Sequence, residues 1–309
     1  MYDSINSWLP IDKAGSFNLS KTMQNLSDIT EHTKNDGLVY VSGNLKNYKV
    51  FISGQGISLK GSLAKYFLPD NFHTLTRSDT ERAFEMMADE LCLPIQKANV
   101  SRIDFAQNFL MKYDPQAYYN FLGDCQYYKR QPQSKSLYYS NGLRTKVFYN
   151  KIAEGKAKGL SLPDVWTGKN VLRYEMRFTS RLPKQFNKSE ITASSLYNES
   201  FYMTIFDKYL AEYEAINKLH SINFNLSDMN SPKDFWKQMN LIAINLIGQD
   251  KIMQEVENLR LKKAFTKNEY YSRLKQDIKD ICKTPVLTES SDLIAELDKK
   301  IKLSKTHYR

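Results

Sequence analysis

The chain has 309 residues, and its 41% hydrophobic and 25% charged content is ordinary for a soluble globular protein. At about 150 residues per domain, this length predicts two domains. The 44 Lys and Arg residues outnumber the 34 Asp and Glu residues, and the net charge of +10 favours a polyanionic partner. Three cysteines without a CxxC spacing argue against both a zinc-finger pattern and a disulfide framework.

The sequence carries no pattern of export or membrane insertion. The start, "MYDSINSWLP", has no basic run before an apolar stretch, so it does not predict a signal peptide. The most apolar run, "LIAINLIG" at 241–248, is far shorter than the ~20 residues that cross a bilayer. We therefore expect a soluble cytoplasmic protein without a membrane partner.

The first third predicts strands followed by a helix. The runs "GLVYVSG" and "NYKVFISG" alternate like strands and predict a β-hairpin. A helix is predicted next, with Ser78 and Asp79 as caps and an apolar face at helical spacing that comprises Ala83, Phe84, Met87, Ala88 and Leu91. The run "NVSRIDFAQNFLM" then predicts a buried strand.

The middle of the chain predicts further strands, and the end predicts helices. "KSLYYSN" and "RTKVFYNKI" form a hairpin pattern around Asn141-Gly142, and "NVLRYEMRFTSR" is another strand. From about residue 190 the apolar spacing becomes helical, and Ser231-Pro232 is a typical helix start. We predict an α+β domain around an antiparallel sheet over residues 1–187 and a mainly helical region over 188–309.

Two predicted strands contain charged residues that need partners or a ligand. Side chains alternate along a strand, so Arg102 and Asp104 share one face, as do Arg173, Glu175 and Arg177. The acidic residues could pair with the arginines as ordinary salt bridges. Alternatively, Asp104 and Glu175 could hold Mg²⁺ or Mn²⁺, which prefer oxygen ligands.

A tyrosine in a basic strand is the candidate nucleophile. In the strand "TKVFYNK", Tyr149 shares a face with Val147 and Lys151. A phenol with a pKa near ~10 is a poor nucleophile at neutral pH, so a cation beside it would be needed. A structural role for this tyrosine is the alternative.

Five segments carry a family resemblance. "VSRIDF", "TKVFYNK" and "VLRYEMRF", in this order, together with "GSLAKYFLPDN" and the opening "MYDSINSWLP", resemble the replication initiators of filamentous phages (gene II and gene X type) and the related plasmid Rep_trans group. The resemblance covers roughly residues 1–185. It implies a degenerate HUH/Rep-like nuclease fold, followed by helices that bind DNA, oligomerise or do both.

The resemblance implies rolling-circle initiation. Such a protein binds a double-stranded origin, nicks one strand through a 5′-phosphotyrosyl bond and later closes the displaced single strand, while a host helicase and polymerase copy the circle. The resemblance assigns Tyr149 as nucleophile, Lys151 as its catalytic partner, and Asp104 and Glu175 as ligands of Mg²⁺ or Mn²⁺.

Three features depart from the family pattern. No His-x-His pair exists, so carboxylates must hold the metal. Pro69 stands where the family element usually has glycine. A third metal ligand is not identified, although Asn108 is a candidate.

Basic and aromatic residues supply the predicted DNA contacts. Residues 127–159 carry eight Lys or Arg residues and one Glu. We predict phosphate contacts from Lys65, Arg102, Lys129, Arg130, Arg144, Lys146 and Arg173. Tyr138 and Tyr139 are alternative nucleophiles or stacking platforms for bases.

Other functions remain open at this point. The basic surface also suits a non-catalytic origin-binding or single-strand-binding protein, and the carboxylates also suit a nuclease in which water attacks. A structural protein with salt-bridged strands is a further alternative. A homodimer is plausible, because nicking and closing can use two tyrosines.

Overall fold

The structure is a computed structural model that describes residues 1–33, 35, 37–160, 162–219, 221–222, 229–281, 288–289 and 292–308. It divides into two compact units, Met1–Asn217 with Glu296–Arg309, and Lys218–Ala295. A large antiparallel sheet comes first and a mainly helical region follows, which confirms the predicted α+β class.

Most of the strands lie in the first unit. In chain order they are β1 (Tyr2–Pro10), β2 (Ser27–Thr33), β3 (Val39–Leu45), β4 (Tyr48–Ser53), β5 (Gly56–Ser62), β6 (Asn99–Met111), β7 (Leu122–Cys125), β8 (Lys129–Gln133), β9 (Ser136–Ser140), β10 (Arg144–Asn150), β11 (Asn170–Phe178), β12 (Ile216–Lys218), β13 (Ser221–Ile222) and β14 (Thr288–Glu289). Within the described residues, ten of them form one antiparallel sheet in the order β2-β3-β4-β5-β1-β6-β11-β10-β9-β8. β7 pairs with β12, and β13 pairs with β14.

The helices begin between the strands and dominate the end of the chain. They are α1 (Leu19–Met23), α2 (Leu63–Phe67), α3 (Arg77–Leu91), α4 (Pro115–Tyr119), α5 (Lys151–Ala157), α6 (Leu182–Gln185), α7 (Ala193–Tyr197), α8 (Glu199–Glu214), α9 (Pro232–Ile247), α10 (Gln249–Leu261), α11 (Asn268–Ile281) and α12 (Asp292–Leu303). Among the described residues, no helix has both the length and the hydropathy needed to cross a membrane.

Local side-chain hydrogen bonds fix several boundaries. α3 starts earlier than the predicted caps, because Thr76 and Asp79 form a reciprocal capping box. Ser231 caps α9, as predicted. In the β9–β10 hairpin, the Asn141 side chain accepts hydrogen bonds from the Leu143 and Arg144 amides at 2.9 and 3.0 Å. This turn therefore holds the two strands in one register.

Aromatic rings fill the space between the sheet and α8. Phe105 of β6 and Tyr174 of β11 are fully buried, and both contact Tyr209 of α8, with ring centroids 5.4 and 4.4 Å apart. We call this side of the sheet the covered face. Because α8 completes this core, the first unit continues past residue 187 and extends to Asn217.

The second unit has a separate small core. Helices α9, α10 and α11 surround a cluster that comprises Ile244, Val256, Tyr271 and Ile278. Amphipathic spacing in each helix accounts for this arrangement, because each buries one apolar stripe.

Removal of the central ring of the covered face should destabilise the first unit. We expect Phe105→Ala to lower the free energy of unfolding by about 3–5 kcal/mol, because it leaves a cavity among Tyr2, Tyr202 and Tyr209. Leu110→Ala, on the same strand but 48% exposed, is the control and should cost less than about 1 kcal/mol. Equal losses in urea denaturation would contradict this account of the core.

Candidate active site

The strand register brings the predicted site residues onto the other face of the sheet, which we call the site face. Residues directly opposite each other in an antiparallel sheet project to the same side. Three cross-strand rows result: Ser136–Tyr149–Arg173–Asn108, Tyr138–Val147–Glu175–Ala106 and Ser140–Thr145–Arg177–Asp104. The nucleophile candidate and both carboxylates therefore lie in consecutive rows on three neighbouring strands.

Both carboxylates are buried and engaged by arginines. Asp104 accepts two hydrogen bonds from Arg102, from Nε at 2.8 Å and from a terminal nitrogen at 2.7 Å. Glu175 accepts from Arg177 Nε at 2.7 Å, and its other oxygen is 3.4 Å from Arg173 Nε. The Tyr149 hydroxyl donates to that same oxygen at 3.2 Å.

Arg173 is the buried centre of this cluster. Its guanidinium contacts an Asp3 oxygen at 2.8 Å, the Asn71 carbonyl at 3.0 Å and the Asn108 Oδ1 at 3.2 Å. Asp3 reaches it because the β1–β6 register shifts between Tyr2 and Ile5. Such irregularities redirect side chains, and sequence spacing does not reveal them.

Lys151 occupies a different element from the one predicted. The strand ends at Asn150, whose side chain accepts from the Ala153 amide and caps α5, so Lys151 begins a helix instead of sharing a strand face with Tyr149. The buried Lys151 ammonium donates to Asn71 Oδ1 and to Glu154 Oε2, each at 2.8 Å. Asn71 ends the "GSLAKYFLPDN" element, so that element positions both Lys151 and Arg173.

Burial favours the neutral forms of both the phenol and the ammonium. It raises the pKa of the Tyr149 phenol; Arg173 opposes this shift and Glu175 reinforces it. Burial also lowers the pKa of Lys151, with Arg173 acting in the same direction and the hydrogen bond to Glu154 opposing. The resting tyrosine is protonated, and the Glu175 carboxylate is the group that accepts its hydrogen bond.

The two carboxylates fit a divalent cation only in part. In the part of the chain that the structure describes, no set of three or more His, Cys, Asp and Glu side chains is arranged to hold a metal. Asp104 and Glu175 nevertheless lie on one face of adjacent strands, and Mg²⁺ commonly binds through one or two carboxylates plus substrate phosphates. The candidate third ligand, Asn108, already accepts from Arg173 and donates to the Phe72 carbonyl at 2.9 Å.

Four residues predicted to act on DNA lie on the covered face, and the burial of two of them, Tyr139 and Lys146, corrects those two predictions. Tyr139 and Lys146 are fully buried; the Tyr139 hydroxyl donates to the Gly123 carbonyl at 2.7 Å, and Lys146 pairs with Glu212 at 2.9 Å. Arg144 also pairs with Glu212, and Arg130 donates to the Leu122 carbonyl. The sequence already indicated that Lys146 and Tyr149 lie on opposite faces of the sheet. They are three residues apart on one strand, and side chains at an odd separation project to opposite sides.

Among the other predicted contacts, Lys65, Arg102 and Lys129 are at least partly exposed, whereas the Arg173 side chain is 4% exposed, which corrects its prediction. Lys129 is exposed on β8 opposite Ser140, so it extends the row of Arg177 and Asp104 to the sheet edge. Lys65 is partly exposed on α2. Their contact with DNA stays a prediction.

A cavity adjoins the candidate nucleophile. It has a volume of about 360 Å³, and Tyr149 lines it together with Tyr138 of β9, residues of α5 and Arg177. The site therefore combines a tyrosine, buried carboxylates, arginines and a ligand-sized space on one face of the sheet.

Comparison with known proteins places the chain in a family. The model of the N-terminal part of the gene II-type replication-associated proteins of phages matches residues 1–203 of the 309. The chain belongs to this family, which confirms the resemblance to the filamentous-phage initiators and supports a role as a replication initiator. A search of curated proteins found no match.

The buried Asp104 should make the stability of the folded protein depend on pH. Burial raises the pKa of its carboxyl to about 6, against the hydrogen bond from Arg102, which lowers it. Between about pH 4 and pH 6 the folded protein therefore retains a proton that the unfolded chain has released. The retained proton stabilises the folded protein. Its contribution to the free energy of unfolding is complete below about pH 4 and is lost as the pH rises through about 6.

The free energy of unfolding of the wild type should fall between about pH 4 and about pH 7, in part because Asp104 loses its proton. We expect this fall to be smaller in Asp104→Asn, by about 2–3 kcal/mol. Urea denaturation across this pH range measures the slope. The exposed Asp12→Asn is the control and should keep the wild-type slope. A wild-type slope in Asp104→Asn would contradict the raised pKa.

Proposed function

We propose that this chain initiates rolling-circle replication by nicking one strand of an origin and later rejoining it through Tyr149. The observation that carries the proposal is the hydrogen bond from the Tyr149 hydroxyl to Glu175, inside a cluster that also contains Arg173. Membership in the replication-associated family supports a DNA substrate at an origin.

The proposed chemistry is an exchange of phosphodiesters. The Tyr149 oxygen attacks the scissile phosphorus, its proton passes to Glu175, and the bond from phosphorus to the 3′ oxygen breaks. The products are a 5′-phosphotyrosyl bond and a free 3′-hydroxyl once the leaving oxygen takes up a proton. In the reverse reaction, a 3′-hydroxyl attacks the phosphotyrosine. Each step makes one phosphoester bond and breaks one, so ligation needs no ATP.

The arginines divide into two classes by exposure. The Arg173 side chain is 4% exposed and holds several partners, so its role is to build the site. The Arg102 and Arg177 side chains are 35% and 31% exposed, and each pairs with one carboxylate. We propose that these two guanidiniums turn toward the DNA phosphates, where charge-assisted hydrogen bonds favour the negative phosphorane.

Release of the carboxylates by these arginines would make room for a divalent cation. Asp104 and the Glu175 oxygen that Arg177 releases, Oε1, are then the protein ligands that we propose for Mg²⁺ or Mn²⁺, while Glu175 Oε2 keeps the hydrogen bond from Tyr149. When bound, such a cation polarises the phosphate. Lys151 acts as a buried point charge beside Asn71 and stabilises negative charge that develops at the reacting group.

The partners follow from this chemistry. The protein would bind its origin as duplex and as single strand in the host bacterial cytoplasm. The sequence has no GxxxxGK[ST] element, so we propose that a host helicase opens the duplex and that a host polymerase extends the 3′-hydroxyl. A homodimer would supply a second tyrosine for closing.

A non-catalytic DNA-binding protein is the second candidate. The observation that favours it is that arginines satisfy Asp104 and Glu175 without a metal. Such a protein would bind origin strands and form no adduct with them, so one adduct assay separates the two candidates.

We expect Tyr149→Phe to abolish the covalent adduct and to lower nicking by at least about a thousand-fold, because it removes the attacking oxygen. The assay incubates the protein with labelled single-stranded origin oligonucleotides and Mn²⁺, followed by a denaturing gel and peptide mass mapping. DNA affinity should be unchanged. Tyr138→Phe, in the same cavity, is the control and should keep the adduct. An adduct that persists in Tyr149→Phe would refute the assignment, and cleavage without any adduct would favour attack by water.

We expect Asp104→Asn and Glu175→Gln each to weaken Mn²⁺ binding by at least about tenfold, because each removes an anionic ligand. Electron paramagnetic resonance of Mn²⁺, titrated with the oligonucleotide complex of Tyr149→Phe, measures binding without turnover. Glu31→Gln, on β2 at the far edge of the sheet, is the control. Wild-type Mn²⁺ affinity in both variants would remove the metal-site proposal.

A further inference from the structure

We infer that the cavity beside Tyr149 binds one unpaired nucleotide of the strand to be nicked and holds its base against Tyr138. This inference rests on the proposed function and extends it, because it names the part of the substrate that the site recognises.

The size of the cavity fits a single nucleotide. Its volume is about 360 Å³, close to the lower limit of about 300 Å³ for pockets that enclose a small ligand. β9 and β10 supply lining residues from one side and α5 supplies others, and a volume of about 360 Å³ is small for the two nucleotides of a base pair. A base enters only after it leaves its stack, as in other enzymes that act on extruded nucleotides.

The walls suit a flat aromatic ring. Tyr138 and Tyr149 are both partly exposed, in adjacent strands and neighbouring rows. Ala153 and Ala157 lie four residues apart on α5, and therefore on one side of that helix, and both line the cavity. Two methyl side chains opposite a tyrosine leave a slot, and bases stack on aromatic side chains with little sequence preference.

The rim is positively charged. Lys135 and Lys158 are exposed at the cavity, and Arg177 is a third cationic lining residue. The acidic lining residue, Glu154, is already paired with Lys151 and Lys158. The rim therefore attracts the phosphates on either side of the bound nucleotide.

The position of the cavity determines which nucleotide it binds. Tyr149 is itself a lining residue, so a nucleotide in the cavity lies next to the phosphate that Tyr149 attacks. Recognition of this nucleotide would fix the register of the strand and select the bond that is cut.

The test uses single-stranded oligonucleotides tiled across the intergenic DNA of the protein's own replicon. The tightest binder then carries 2-aminopurine at each position in turn, and Tyr149→Phe keeps the complex uncleaved. We expect one position to change its fluorescence on binding in a way that the others do not. Tyr138→Ala, added to Tyr149→Phe, should abolish at least half of that change.

Two matched variants sharpen the result. Ala153→Leu fills the slot without removing a ring and should abolish the same signal, with folding checked by thermal melting. Tyr113→Ala removes a tyrosine that is 56% exposed and is not among the lining residues, so it should leave the signal intact. The pocket inference fails if no position stands out, or if both cavity variants keep the signal.

The nicking assay with Tyr149 intact separates this inference from the proposed function. Nicking without a distinct 2-aminopurine position overturns the pocket alone. A distinct position that depends on Tyr138, in a protein that never nicks, supports the pocket and overturns the nickase.

Discussion

The site depends on one buried cation, the guanidinium of Arg173. A buried charge is costly unless partners surround it, and this one has partners on β1, on β6 and in the loop before α3, namely Asp3, Asn108 and Asn71. These contacts fix how distant segments meet on the site face. Burial is the main cause of the raised pKa of Tyr149 and of the lowered pKa of Lys151, and the Arg173 charge opposes the first shift and adds to the second. One side chain therefore contributes to both the geometry and the electrostatics of the site.

The other two arginines have a different role because water reaches them. Arg102 and Arg177 neutralise Asp104 and Glu175 in the absence of DNA, so the site folds without an uncompensated buried charge. A DNA phosphate is an equally good partner for a guanidinium. Exchange of one anion for another involves less desolvation than the burial of an unpaired charge, which is consistent with the proposed exchange of these carboxylates for DNA phosphates.

The period-two pattern predicted much of this site, and its limits are physical. Alternation was enough to group Arg102 with Asp104 and Arg173 with Glu175, and the resemblance assigned Tyr149. Asp3 and Asn71 could not be found in the same way, because they reach Arg173 through a register shift and a loop. Lys151 was misplaced because local capping by Asn150 ended the strand.

The β9–β10 hairpin shows why register matters more than composition here. Neighbouring tyrosines have opposite roles: Tyr139 is buried beneath the sheet with Lys146, whereas Tyr138 lines the cavity beside Tyr149. A slip of one residue would exchange the two faces of β10 and move Tyr149 to the covered face. The Asn141 side chain resists that slip through its two hydrogen bonds to the turn, and the burial of Tyr139 and Phe148 resists it through the core. The covered face therefore helps to hold Tyr149 on the site face.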